Sequence, residues 1–156
     1  MDATLRCVEC GAVYPEGPER LVCPACAVHQ VAGGHTRGVL LVECGRLPDY
    51  WPDHARAWRQ WLPLPDQLDL PDLPVGDTPL LHAAALGARL DMPNLWVKDD
   101  TRNPSGSTKD RASWLVCAKA LQFGLDTVAT ASTGNAAAAL SCCAASFGLH
   151  LNFAMI

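Results

Sequence analysis

Thr127-Val128-Ala129-Thr130-Ala131-Ser132-Thr133-Gly134-Asn135 joins two hydrophobic patterns across a turn of small residues. Its first five residues are short, apolar and partly β-branched, which reads as a buried strand. Asn135 to about Phe147 is rich in alanine, the best helix former, and Gly148 stops it. Leu149 to Ile156 reads as a second strand. Strand, helix and strand in that order make a βαβ unit, so the two strands run parallel in one sheet with a right-handed crossover. The fold class is therefore α/β.

The turn inside this unit also carries chemistry. Backbone N–H groups at a helix start can hold an anion, Ser132 and Thr133 add hydroxyl donors, and Gly134 lets a ligand approach the backbone. Asn135 offers an amide able to bond a phenolic oxygen. The same residues also suit a plain helix cap, with Thr133 or Asn135 satisfying orphan donors. The motif alone leaves both readings open.

Upstream, Asn103-Pro104-Ser105-Gly106 reads as a turn and Thr108 to about Phe123 as a helix ended by Gly124. Lys109 thus opens a helix, where the positive end of the dipole disfavours a charged ammonium. A lysine that is neutral more easily is a better imine-forming nucleophile, although most lysines at helix starts are solvated surface groups. Leu95-Trp96-Val97 reads as a short strand. Five prolines from Pro63 to Pro79 make the preceding stretch extended, and Asp53 to Trp61 reads as a short helix with Trp58 and Trp61 on one face.

The first 45 residues hold five of the eight cysteines. Cys7-Val8-Glu9-Cys10 and Cys23-Pro24-Ala25-Cys26 are two C-x-x-C knuckles separated by twelve residues. Each knuckle places two thiolates on one metal, and two knuckles complete a tetrahedral four-sulfur site for which zinc is best suited. With no position left open, such a zinc is structural, and it staples a segment poor in large apolar residues. Cys44, Cys117, Cys142 and Cys143 read as packing thiols. The expected organisation is a zinc-ribbon-like module over 1–45, a Pro/Trp-rich linker over 46–75 and an enzyme-like α/β domain over 76–156.

Charge and composition narrow the partners. Apolar residues at 49% and charged residues at 18% are those of a globular chain. The 16 acidic residues against 12 basic ones, the latter scattered, argue against nucleic acid, whose binding rests on clustered Lys and Arg. The apolar stretches are too short to cross a membrane. Met1 leads into a cysteine motif with no apolar targeting segment, so the expected location is cytoplasmic, where cysteines are metal ligands or thiols before they are disulfides.

Together, Asn103-Pro104-Ser105-Gly106-Ser107-Thr108-Lys109-Asp110-Arg111 and Ser132-Thr133-Gly134-Asn135 resemble the signature of the fold-type II pyridoxal-phosphate-dependent enzymes, the tryptophan synthase beta-like family. Gly76-Asp77-Thr78-Pro79-Leu80-Leu81 resembles the family's opening strand, and Lys98-Asp99-Asp100 its usual Lys-Asp-Glu. A cysteine ribbon ahead of that strand is similar to the threonine-synthase branch. The resemblance implies that Lys109 binds pyridoxal 5'-phosphate covalently and later moves the substrate α-proton. It implies that Asn135 bonds the cofactor's ring hydroxyl, and that Ser132, Thr133 and Gly134 hold the carboxylate of an amino-acid substrate. For threonine synthases that substrate is O-phosphohomoserine, converted with water to threonine and phosphate. A homodimer is the expected form of the full-length protein.

Two features depart from the family pattern. Thr108 stands before the lysine where phenylalanine is more usual, so packing against the cofactor ring should differ. The family's glycine-rich phosphate loop and the hydroxyl residue facing the pyridine nitrogen lie beyond Ile156. The expectation is an incomplete domain that by itself binds the cofactor poorly and has little or no activity. Competing readings are a cysteate-synthase-like or threonine-dehydratase-like enzyme, and a truncated, non-enzymatic ribbon serving as an interaction module.

Overall fold

The computed structural model describes residues 3–45 and 57–154. The chain divides into two compact units, Met1–Leu68 with Gln122–Gly124, and Asp69–Leu121 with Leu125–Ile156.

The first unit is built on a three-stranded antiparallel sheet in the order β2-β1-β3, with β1 at Ala3–Cys7, β2 at Val13–Pro15 and β3 at Leu40–Cys44. Leu5 pairs with Tyr14 on one side and with Val42 on the other. Alternation along β1 sends Leu5 and Cys7 inward. Between β2 and β3 lies the short helix α1, Pro24–Ala27, started by a proline in its first turn, where the missing N–H costs nothing. Cys7, Cys23 and Cys26 form a buried cluster, with Tyr14 and Leu40 packed against it. Thiols in place of large side chains explain why so small a unit has a core at all.

Trp58 and Trp61 lie in a single 3-10 turn, Ala57–Trp61, and are half-buried. The helix expected from Asp53 is thus 3-10 where it is seen, and its first residues lie outside the described ones. The proline-rich segment that follows has no regular element until Leu80, as fixed φ and missing donors dictate.

In the second unit, β4 (Leu80–His82) and β5 (Trp96–Lys98) form an antiparallel pair. His82 and Trp96 face each other across it, with ring centroids 4.8 Å apart. The helix α2, Ala84–Leu90, connects them and ends on Asp91 in the left-handed conformation. The helix α3 spans Lys109–Gln122 and α4 spans Asn135–Phe147. Between them β6 (Thr127–Ala131) pairs with β7 (His150–Ala154) in parallel, from Thr127 opposite His150 to Ala131 opposite Ala154. The parallel βαβ unit read from the sequence is present.

Helical spacing selects what is buried. Asp110, Ser113, Trp114, Cys117 and Ala118 make one stripe of α3, and Ala139, Leu140, Cys143, Ala144 and Phe147 make one stripe of α4. The stripes meet where Trp114 stands edge-on to Phe147 at 5.8 Å. Cys117 and Cys143 are buried as expected of packing thiols, and burial pushes their thiols up to about 11 and about 12. Cys44 and Cys142 are only half-buried.

Candidate functional sites: a four-sulfur cluster and a lysine turn

The four sulfur atoms of Cys7, Cys10, Cys23 and Cys26 lie within 4.8 Å of one another. Cys7 Sγ and Cys26 Sγ are 3.8 Å apart, and Cys10 Sγ and Cys23 Sγ 3.7 Å. A disulfide needs about 2.05 Å. A tetrahedron with metal–sulfur bonds of ~2.3 Å has edges of about 3.8 Å, so these spacings suit a shared cation and not a disulfide.

Backbone geometry sets the cluster. Cys7 ends β1, and its carbonyl accepts the N–H of Gly11 at 3.0 Å, closing the first knuckle with Gly11 at positive φ. The second knuckle is closed by Ala27 N–H on Cys23 O at 2.9 Å, while Cys23 N–H donates to Gly38 O at 2.8 Å. Gly38 has φ +72°, and a Cβ there would come within 3.0 Å of Cys23 backbone oxygen. Only glycine fits that approach.

Glu9, inside the first knuckle, accepts the N–H of Gly38 and pairs with Arg37 at 2.7 Å. The Arg37 hydrogen bond, followed by that of Gly38, holds the Glu9 carboxyl below its ordinary range. One carboxylate thereby ties one knuckle to the loop that seats the other. Tyr14 Oη lies 3.1 Å from Cys23 Sγ. That hydrogen bond holds the Cys23 thiol down to about 6 and pushes the Tyr14 hydroxyl up to about 12. Burial pushes Cys26 up to about 12.

In the second unit, Lys109 is the first residue of α3 and is exposed, and its backbone N–H donates to Ser107 Oγ at 3.1 Å. The turn before it is held from several sides. Asp110, fully buried, accepts the Ser105 N–H at 2.7 Å and also the Ser105 hydroxyl. Asn103 Oδ1 accepts the Gly76 N–H at 2.9 Å, and Asn103 Nδ2 donates to Asp100 O at 3.1 Å. Gly106, at φ +77°, donates its N–H to Asn103 O at 2.8 Å.

One helix position further, Arg111 grips Asp100 with two nitrogens at 2.7 and 2.8 Å, and the Thr78 hydroxyl donates to the same carboxylate at 2.9 Å. The Arg111 guanidinium, opposed in part by burial and aided by the threonine hydroxyls, holds Asp100 far below the usual carboxylate range. Lys98 Nζ donates to the Thr78 carbonyl. The Lys98-Asp99-Asp100 and Gly76–Leu81 stretches therefore brace the helix that begins at Lys109.

Ser132, Thr133 and Gly134 form the turn between β6 and α4, with Gly134 N–H on Ser132 Oγ at 3.2 Å. Asn135 is exposed at the first position of α4, and no side chain caps that helix. A Cβ on Gly134 would project into open space. Neither Thr133 nor Asn135 thus caps α4 with its side chain. The two helices touch where Cys143 Sγ approaches the Asp110 carbonyl at 3.9 Å. Asn135 precedes Cys143 by about two helical turns, or ~12 Å of rise.

Sequence reasoning singled out the four cysteines, Lys109 and the 132–135 turn. It gave no role to Tyr14, Glu9, Asp110 or the Asp100–Arg111 pair. A tyrosine placed between two cysteine knuckles, and an aspartate directly after the lysine, were the available signals.

Comparison with known proteins agrees with this layout. The pyridoxal-phosphate dependent enzyme family matches residues 72–155. The threonine synthase of Methanosarcina acetivorans is 32% identical over 146 residues, 93% of this chain and 35% of that protein. The threonine synthase of Synechocystis is 38% identical over 101 residues, covering 64% of this chain and 26% of its own. That of Methanocaldococcus jannaschii is 36% identical over 94 residues, 59% of this chain and 23% of its own. The chain thus spans about a third of the length of these relatives, or less. With the lysine turn, the parallel βαβ unit and the family match in agreement, this chain belongs to the pyridoxal-phosphate dependent enzymes.

Proposed function

We propose that this chain is the amino-terminal part of a threonine synthase that converts O-phosphohomoserine and water to threonine and phosphate. The observation that carries it is the pairing of an exposed lysine on a braced helix start with an uncapped helix start in the same α/β unit, in a chain similar to the Methanosarcina acetivorans threonine synthase over 93% of its length. Bound pyridoxal phosphate supplies the electron sink for cleavage at the substrate's α- and γ-carbons. Lys109 supplies the amine that holds the cofactor and moves the α-proton. Asn135 donates its amide to the cofactor's ring hydroxyl. The Ser132 and Thr133 hydroxyls and the amides around Gly134 receive the substrate carboxylate, an anion that the helix dipole favours there. In this reading the protein works in the cytoplasm, as a homodimer in its full-length form.

The four-cysteine cluster holds a structural zinc in the same proposal. Two of its sulfur–sulfur distances, 3.7 and 3.8 Å, match the edge of a zinc–thiolate tetrahedron, and four protein ligands leave no place for substrate.

The test is to titrate pyridoxal phosphate into the chain and into any longer product of the same reading frame, beside Lys109→Ala variants. The visible absorbance band should vanish with the lysine. The longer product is then given O-phosphohomoserine, threonine, and phosphoserine with sulfite. Threonine formed from the first compound supports the proposal. Deamination of threonine, or cysteate made from phosphoserine, would replace it with a dehydratase or a cysteate synthase.

A further inference from the structure

Tyr14 is the middle residue of β2, just after the first knuckle, and its ring packs on the buried cysteines. Its hydroxyl lies 3.1 Å from Cys23 Sγ, within reach of an O–H···S hydrogen bond. Cys23 is fully buried, so water does not reach that sulfur. The outer side of the Tyr14 ring faces Arg20, whose guanidinium carbon is 5.0 Å from the centroid. Elsewhere around the cluster, Glu9 N–H points at Cys7 Sγ from 3.4 Å, and Cys10 is exposed to solvent.

A dication bound by four thiolates carries a net charge of about −2. Such charge, when buried, is costly unless donors offset it. Cys10 can take water and Cys7 has a backbone N–H. For Cys23 the Tyr14 hydroxyl is a side-chain donor, added to the backbone N–H of Cys26. Groups that hydrogen-bond to metal ligands orient them and tune how tightly the metal is held.

We infer that Tyr14 is a metal-positioning residue, whose hydroxyl donates to the Cys23 thiolate and sets how firmly the ribbon retains its metal. The inference rests on the four-sulfur metal reading above, and independently of any catalysis. Tyr14→Phe isolates the hydroxyl, because the ring, its packing on the cysteines and its stacking under Arg20 all survive the change.

The experiment loads the whole chain with cobalt, as a spectroscopic stand-in for zinc, and measures thiolate-to-cobalt charge-transfer bands. Zinc affinity is then measured by competition with a chelator. Tyr14→Phe should bind zinc about 10-fold or more weakly and should shift the charge-transfer bands, since a lost donor leaves more electron density on sulfur. Glu43→Ala serves as the comparison: it removes the exposed ion pair of Glu43 with Arg6, 2.7 Å apart in the same sheet, without touching either knuckle's sulfurs, so its bands should stay in place. Unchanged affinity and unchanged bands in Tyr14→Phe overturn the inference while leaving the metal reading intact. A wild-type chain that takes up no cobalt, or a Cys23→Ser variant that binds as well as wild type, overturns the metal reading itself. Cadmium-loaded wild type gives a check that needs no variant. Protection of the Tyr14 hydroxyl proton from exchange on loading supports the inference, and rapid exchange in the loaded protein overturns it.

Discussion

Asp110 closes the turn that precedes it: its carboxylate, with no exposure to solvent, accepts both the backbone N–H of Ser105 at 2.7 Å and the Ser105 hydroxyl. The lysine between them is thus held by a clasp whose two ends sit five residues apart in sequence. A carboxylate at the start of a helix is also favoured by the dipole.

Removing that carboxylate leaves the Ser105 N–H without its partner. Asp110→Ala should lose about 1–3 kcal/mol of stability, read by urea unfolding, and the Ser105 amide should exchange faster. Asp110→Asn keeps one acceptor oxygen and should lose less. Equal stability of Asp110→Ala and wild type would show that the clasp does not matter.

The Asp100–Arg111 pair makes a pH prediction. The Asp100 carboxyl titrates lower in the folded chain than in the unfolded one, chiefly through Arg111, and an unfolded aspartate titrates near about 3.9. A lowered folded value gives stability that is complete above about pH 4 and is lost as pH falls toward the folded value. Asp100→Asn should therefore be less stable than wild type at neutral pH and should lose less on acidification. Unfolding curves at neutral and acidic pH that differ by the same amount in both proteins would contradict this.

Gly38 is confined by both its conformation and its neighbour. With φ at +72° and Cys23 backbone 3.0 Å from where a Cβ would sit, Gly38→Ala meets left-handed strain of about 1–2 kcal/mol and a backbone clash. The expected result is a lower melting temperature together with weaker metal uptake. Gly11→Ala meets no neighbour within 4 Å, so it carries the strain alone and should be the milder change.

Trp114 is the largest fully buried side chain among the described residues, edge-on to Phe147. Trp114→Ala should cost about 3–5 kcal/mol, while Phe147→Leu, which keeps most of the volume, should cost much less. The comparison by denaturant midpoint tells whether the α3–α4 contact is as central as its burial implies.

Local chemistry was legible in the sequence. The C-x-x-C spacing marked four candidate ligands because two turns of that length present two sulfurs each, and the structure gathers those sulfurs within 4.8 Å. The α3 and α4 helices were legible because glycines follow them, a turn precedes α3 and alanines fill α4, and the parallel strands because a helix separates them. The boundary errors are small: α3 begins at Lys109 and not Thr108, since the N–H of Lys109 is taken by Ser107.

Other features were decided only by tertiary structure. The pairing of β1 with β3 crosses more than thirty residues that carry no pairing signal of their own. The Glu9–Gly38–Cys23 link, the Tyr14–Cys23 hydrogen bond and the grip of Arg111 on Asp100 join residues distant in the chain. Periodicity and turn chemistry act over a few residues, and so a sequence declares them directly. Which donor meets which buried acceptor depends on how whole segments pack, because a polar group must find a partner wherever folding has removed its water.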